Sequence, residues 1–187
     1  MKKLLKNNFG FNLLEVIVSI SLFIIIVLLI NSLFLVSQKS FTSGTNRGEL
    51  TQNIRVVVDR LSRELRQAAA IATTLPASSS TPVNEILFED GHDISEINYI
   101  RYYLNGSDIK REYRFYYYAS APATHVRWNS IDGFGNSPTA STTEDYIVGQ
   151  YLSSMQFWGT HNLINIKIEL LKAGKTSKIE TAVNKRN

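Results

Sequence analysis

One stretch constrains this chain more than any other. Residues 16–36 are 21 consecutive residues broken only by Ser19, Ser21, Asn31 and Ser32, with no charge, proline or glycine among them. Nothing in that run interrupts a helix. At a rise of about 1.5 Å per residue it reaches roughly 30 Å, the thickness of a bilayer's hydrocarbon core. A helix apolar on every side needs an apolar surrounding on every side, so the run predicts a transmembrane helix. Before it stand Lys2, Lys3 and Lys6 and no acid until Glu15. That asymmetry predicts the N-terminus in the cytoplasm and the bulk of the chain outside.

Charge by segment sharpens the picture. Residues 1–10 carry +3, residues 11–36 carry −1, residues 37–72 carry +3 and residues 73–187 carry −1. The overall pI near 9.3 therefore comes from the sequence flanking the apolar run. A nearly neutral C-terminal part disfavours nucleic acid as a partner. With no cysteine, a disulfide scaffold, a thiolate metal site and a cysteine nucleophile are all excluded. A hydrophobic fraction of 44% is too high for a disordered chain. A cleaved secretory signal fits poorly, because its apolar region runs to about 7–15 residues and ends at a small-residue site. Glu15 also sets the run apart from a plain anchor. A carboxylate in a membrane helix costs on the order of 2.5–3.5 kcal/mol at mid-bilayer, less near the interface, and such a group usually has a partner.

Those residues carry a resemblance. Lys2-Lys3-Leu4-Leu5-Lys6-Asn7-Asn8-Phe9-Gly10, followed by Phe11-Asn12-Leu13-Leu14-Glu15-Val16, resembles the leader and cleavage site of the type IV pilin superfamily. The resemblance implies removal of residues 1–10 by a prepilin peptidase cutting between Gly10 and Phe11, then N-methylation of Phe11. Asn12 departs from the threonine commoner at that position. The resemblance also assigns Glu15 a partner, the cationic amine of Phe11 on a neighbouring subunit. A buried carboxylate beside a buried ammonium is far less costly than either alone. Further partners implied are other pilin or pseudopilin subunits, an inner-membrane assembly platform and the membrane itself.

Residues 37–48 are polar with two glycines, and read either as a loosened part of one helix or as a short break. The helical pattern then resumes. Leu50, Ile54, Val57, Val58, Leu61, Leu65, Ala68, Ala69 and Ala72 repeat at three- and four-residue spacing and form one apolar face. Arg55, Asp59 and Arg63 are spaced for successive i,i+4 pairs, and Arg60 with Glu64 likewise. Residues 50–69 resemble the second helical half of the larger minor pilins and of a minor pseudopilin of type II secretion. The ending, residues 180–187, resembles the terminus of many minor pilins.

Beyond the Ala-, Ser-, Thr- and Pro-rich stretch 73–82 the periodicity falls to two. Residues 85–89, 97–104 and 110–118 read as strands, the last two joined by a hairpin at Asn105-Gly106. Residues 119–145 read as irregular, 146–158 and 163–171 as a strand pair, and 178–184 as a last strand. The expected fold is α+β, a long N-terminal helix packed on an antiparallel head. Its expected domains are a leader (1–10), a transmembrane or filament-core helix (11–36), an amphipathic helix (37–72) and an extracytoplasmic head (73–187).

The head offers little chemistry. His92, His125 and His161 fall in separate expected loops without paired ligand spacing, and Asp90-Gly-His-Asp93 reads as a turn rather than a cation loop. The tyrosine-rich segment 113–118 is explained by strand propensity and packing before any adhesive role. No catalytic residue, metal ligand or cofactor is expected. The reading is a non-enzymatic minor subunit of a type IV pilus or pseudopilus, held in the cytoplasmic membrane before assembly and acting in initiation or at the tip. The alternatives are a pseudopilin of a type II secretion or DNA-uptake system and, in another class, a signal-anchored extracytoplasmic binding domain or enzyme.

Overall fold

The computed structural model describes residues 12–92, 95–160 and 162–186. Gly10, Phe11 and His161 lie outside them, as does Asp93. The chain is α+β: its described residues form one long N-terminal helix followed by nine antiparallel strands. Helix α1 runs Leu13–Gln67 and stays helical through residues 37–48, with Gly44 and Gly48 inside it. Two compact units divide it, Met1–Thr45 and Asn46–Asn187.

Within the second unit the helix is amphipathic. Leu50, Ile54, Val57, Val58, Leu61 and Leu65 are its buried residues, the predicted stripe. The helix ends at Gln67, short of Ala72. Ala69 is exposed there instead of continuing the apolar face, and Ala72 is only half-buried. The terminal carbonyls find donors from other elements, because the last turn of a helix has none of its own. The Arg186 N–H donates to the Arg66 carbonyl at 3.1 Å and Lys185 Nζ to that of Ala69 at 2.7 Å. Gly91 presses on the same end. A Cβ at that position would lie 1.9 Å from the Gln67 carbonyl oxygen, so only glycine fits.

Strands β1 (Ala70–Ile71), β2 (Ile86–Glu89), β3 (Asn98–Asn105), β4 (Asp108–Tyr118), β5 (Ala121–Val126) and β6 (Thr139–Gly149) form one sheet. Strand β4 is its centre. Strand β3 pairs it as far as Phe115 and β5 takes over at Tyr116, while β6 occupies the other edge. The β3–β4 turn is Gly106-Ser107, with Gly106 at φ +63, the left-handed backbone that glycine adopts without cost. Strands β7 (Leu152–Gly159), β8 (Leu163–Lys172) and β9 (Lys175–Asn184) make a second, three-stranded meander. Its β8–β9 turn holds Ala173 and Gly174, both at positive φ, the signature of a type I′ turn.

Both sheets bury their apolar side chains against the helix stripe. Ile86, Phe88, Ile100, Tyr102 and Ile109 come from the first sheet and Met155, Phe157, Ile164, Ile166, Ile168, Leu170 and Val183 from the second, in one cluster. Strand β8 alternates between buried and partly exposed positions from Ile164 to Leu170, as a sheet with one covered face requires.

Three further expectations are corrected. The segment 119–145, expected to be irregular, contains β5 and most of β6. Those strands are mostly exposed and held by backbone pairing to β4, so they carry no apolar alternation to read. Residues 146–158 are not one strand. The chain leaves the first sheet at Gly149 and enters the second at Leu152, turning at Tyr151, whose φ is +66. Finally, Arg55, Asp59 and Arg63 make no ion pair with one another; Arg60 and Glu64 do, at 3.3 Å.

Candidate functional site

The apolar side chains of the first unit's described residues have no cover. From Leu13 to Val36 every large hydrophobic residue is exposed, the least of them Val27 at 38% and the most Leu13 at 78%. This is a helix long and apolar enough to cross a membrane. Its hydroxyls bond back to the helix's own carbonyls, as those of Thr42, Thr45 and Thr51 do further along. Ser19 donates to the Glu15 carbonyl at 2.7 Å, Ser21 to that of Ile17 at 2.8 Å and Ser32 to that of Leu29 at 2.9 Å. Each hydroxyl is thus satisfied within the helix, as a lipid environment demands.

Glu15 sits in the first turn of α1. A carboxylate is favoured there by the partial positive charge of the unpaired N–H groups. The Glu15 N–H itself donates to the Asn12 carbonyl at 2.9 Å. Among the described residues no cation lies within ion-pair distance of its carboxylate, which is exposed. Of the three residues predicted to carry processing and assembly, only Glu15 falls within the described chain.

In the second unit the helix is tied to the sheet by a carboxylate that the spacing argument linked to Arg60 alone. Glu64 accepts from Arg111 Nε at 3.0 and 3.1 Å, from the Tyr102 hydroxyl at 2.8 Å and from Arg60 at 3.3 Å. Arg60 also donates to the Tyr146 hydroxyl, and both arginines lie over the Tyr146 ring, at 5.0 and 5.5 Å. Burial, then the charge and hydrogen bond of Glu64, hold the Tyr102 hydroxyl protonated well above the usual tyrosine range. On the opposite sheet face Glu112 gathers Arg101, Arg114 and Thr142. Burial would raise its carboxyl, but those hydrogen bonds and the Arg114 charge win and lower it. A second tie joins Lys172 of β8 to Glu49, with the ammonium 4.3 Å from the Tyr151 ring centre.

No family model, curated protein or solved structure matches this chain.

The remaining candidates resolve into packing. His125 lies in β5 rather than in a loop, stacked on Phe115 at 4.1 Å, with Nδ1 3.6 Å from Glu96. His92 stands in a turn closed by its own N–H to Asp90 Oδ1 at 3.1 Å, as the Asp90-Gly-His reading expects. Among the described residues no cluster of three His, Asp or Glu side chains could hold a metal. The tyrosines of β4 are half-buried. Tyr116 meets Tyr99 edge-on at 5.2 Å, Phe115 packs on Tyr117 and Tyr118 donates to Ser130. A groove of about 530 Å³ runs along the helix between Val56, Asp59, Arg60, Arg63, Gln67 and His92.

Proposed function

We propose that the chain is a minor pilin-like subunit, cut between Gly10 and Phe11, methylated at Phe11 and assembled into a type IV pilus or a related pseudopilus. The observation that carries this reading is the pairing of a Gly10-Phe11…Glu15 sequence with a helix whose apolar side chains find no partner in their own chain. Such a helix has two favourable surroundings, lipid before assembly and the helices of neighbouring subunits afterwards. Glu15 then selects between them. In lipid its carboxylate is a cost; beside a neighbour's Phe11 ammonium it is neutralised. The lysine-rich N-terminus faces the cytoplasm and the head lies outside. A prepilin peptidase, an inner-membrane platform and other subunits are the partners, and the work is assembly rather than catalysis. The neutral, cysteine-free and rather large head favours a minor subunit that initiates the filament or sits at its tip.

The test is the intact mass and N-terminal sequence of the protein recovered from its host's membranes. Loss of residues 1–10 with a methylated Phe11 is expected; a retained leader in cells with active prepilin peptidase would overturn the reading. Glu15→Ala should insert normally yet fail to enter filaments, measured by comparing membrane and sheared-filament fractions. Normal incorporation of that variant would remove the role given to Glu15.

A further inference from the structure

Two long strand edges stand open in the second unit, and they carry opposite charge. Among the described residues β6 pairs only with β4 and β9 only with β8, so each keeps one side of unpaired backbone N–H and C=O groups. The other edges are short or closed. Strand β1 has two residues, β5 carries Pro122, and Val83 caps β7 by exchanging backbone hydrogen bonds of 3.1 and 2.9 Å with Phe157. Strands β6 and β9 run to 11 and 10 residues, and an open edge of that length is a template for another strand.

Side-chain charge decides which strand each edge accepts. Residues 139–149 include Glu144 and Asp145 and no base, whereas residues 175–184 include Lys175 and Lys178 against one acid, Glu180. Glu144 is exposed, with Arg111 at 3.8 Å, and Asp145 holds Lys110 at 2.7 Å while keeping 34% of its side chain exposed. Lys178 lies 4.0 Å from Glu180 with half its side chain in solvent. Like charges directly opposite one another across two strands are destabilising, and unlike charges are stabilising. Each edge is thereby set against its own copy and matched to the other, which is how charge makes pairing selective.

The pleat narrows the register. Pairing of β6 with β4 skips Thr143 and Val148 but is unbroken from Glu144 to Ile147, and β9 is unbroken throughout. Asp145, Ile147, Thr176 and Lys178 are exposed, whereas Tyr146 and Ser177 are partly covered. An antiparallel alignment with Asp145 opposite Lys178 also sets Ile147 opposite Thr176 and Tyr146 opposite Ser177. In these three pairs exposed side chains share one face and covered ones the other, and a slip of one residue would mix them.

We propose that β6 of one copy of this chain adds to β9 of a second copy, antiparallel, joining the two heads edge to edge through backbone hydrogen bonds. The contact uses a different surface on each copy, so it is heterologous and leaves one open edge on each for further copies. It is independent of the assembly reading, because it is scored whether or not residues 1–10 are removed.

The chain has no cysteine, so introduced thiols meet no background. Full-length Ile147→Cys and full-length Thr176→Cys are mixed in detergent, oxidised with copper-phenanthroline, and their adducts identified by peptide mass. The expected product is the mixed disulfide between positions 147 and 176, roughly fivefold or more above either like-with-like product, where chance mixing gives about twofold. Adding Lys178→Glu to the Thr176→Cys chain should lower the mixed yield by roughly fivefold or more. Adding Asp145→Lys to the Ile147→Cys chain should then restore it. Restoration between two different molecules does not arise from damage to either fold, and near-UV circular dichroism checks that each variant head is folded. No adduct, a mixed adduct at the chance ratio, a yield indifferent to Lys178→Glu, or no restoration by the exchanged charge would each overturn the proposal.

Discussion

The two parts of α1 share a backbone conformation and little else. Up to Val36 the helix is apolar on all sides with every large side chain exposed; from Leu50 it shows one buried stripe opposite a charged face. The contrast teaches that periodicity, and not the amount of apolar residue, reports what a helix will pack against. An all-round apolar helix asks for a surrounding that its own chain does not supply. A striped helix is already matched to one, the sheets that follow it.

The sharpest way to break that contrast is to place the same charge in each part. Leu61 is fully buried beneath both sheets, and Leu61→Asp puts an unpaired carboxylate there. Loss of the folded head is expected, at more than about 4–5 kcal/mol, seen as disappearance of the near-UV circular dichroism of the detergent-solubilised protein. Leu28→Asp should leave that signal and its melting temperature unchanged while costing on the order of 2.5–3.5 kcal/mol of membrane insertion. Equal damage to the head by both variants would show that the two parts are not separately matched.

A smaller effect tests the charged side of the striped part. Arg111 and Glu64 have side chains only 9% and 14% exposed. Glu64→Ala leaves Arg111 only the longer contact to the exposed Glu144 at 3.8 Å, and up to about 3–5 kcal/mol of head stability should go with it. Asp59→Ala, on the same helix but unpaired, should change stability by no more than about 0.5 kcal/mol. Denaturant titration of the two variants side by side separates them.

The smallest effect comes from pH. The folded state holds Tyr102 protonated above its ordinary range, so its contribution is intact below the unfolded value near 10 and falls as pH rises past it. By linkage the loss is about 1.4 kcal/mol per pH unit above that point. Lys110 and Lys172, both raised by their carboxylate partners Asp145 and Glu49, act in the same direction. A melting curve at pH 11 should therefore be lower than at pH 9, and Tyr102→Phe should flatten the dependence. An unchanged slope in that variant would assign the alkaline loss to the lysines.

Legibility followed locality. The transmembrane-length run, the helix stripe and the β3–β4 hairpin, whose turn falls at Gly106-Ser107, one residue later than Asn105-Gly106, were readable because each is written within a few turns or a few residues of itself. Strands β5 and β6 were not, since exposed strands paired through backbone alone leave no alternating pattern. The crossing at Tyr151 was missed for a related reason: left-handed backbone is read from glycine, and a tyrosine there gives no sign. Ala69 and Ala72 were misplaced because the helix is stopped by Gly91, Lys185 and Arg186, all distant in the chain. The Glu64 cluster had one local half, Arg60, and two halves that only folding brings in, Arg111 and Tyr102. Gly10, Phe11 and Glu15 form a local motif in the sequence, and of the three Glu15 alone falls on the described helix.

That cluster also sets a length. One carboxylate holds a donor from its own helix and two from neighbouring strands, so the sheet is indexed to a single turn of the helix. A slip of one turn, about 5.4 Å, would carry Glu64 out of reach of both strands at once. Between Glu49 and Glu64 the helix and the strands are thus held at a fixed span, and a tug along the helix axis within this unit loads both clasps together in shear.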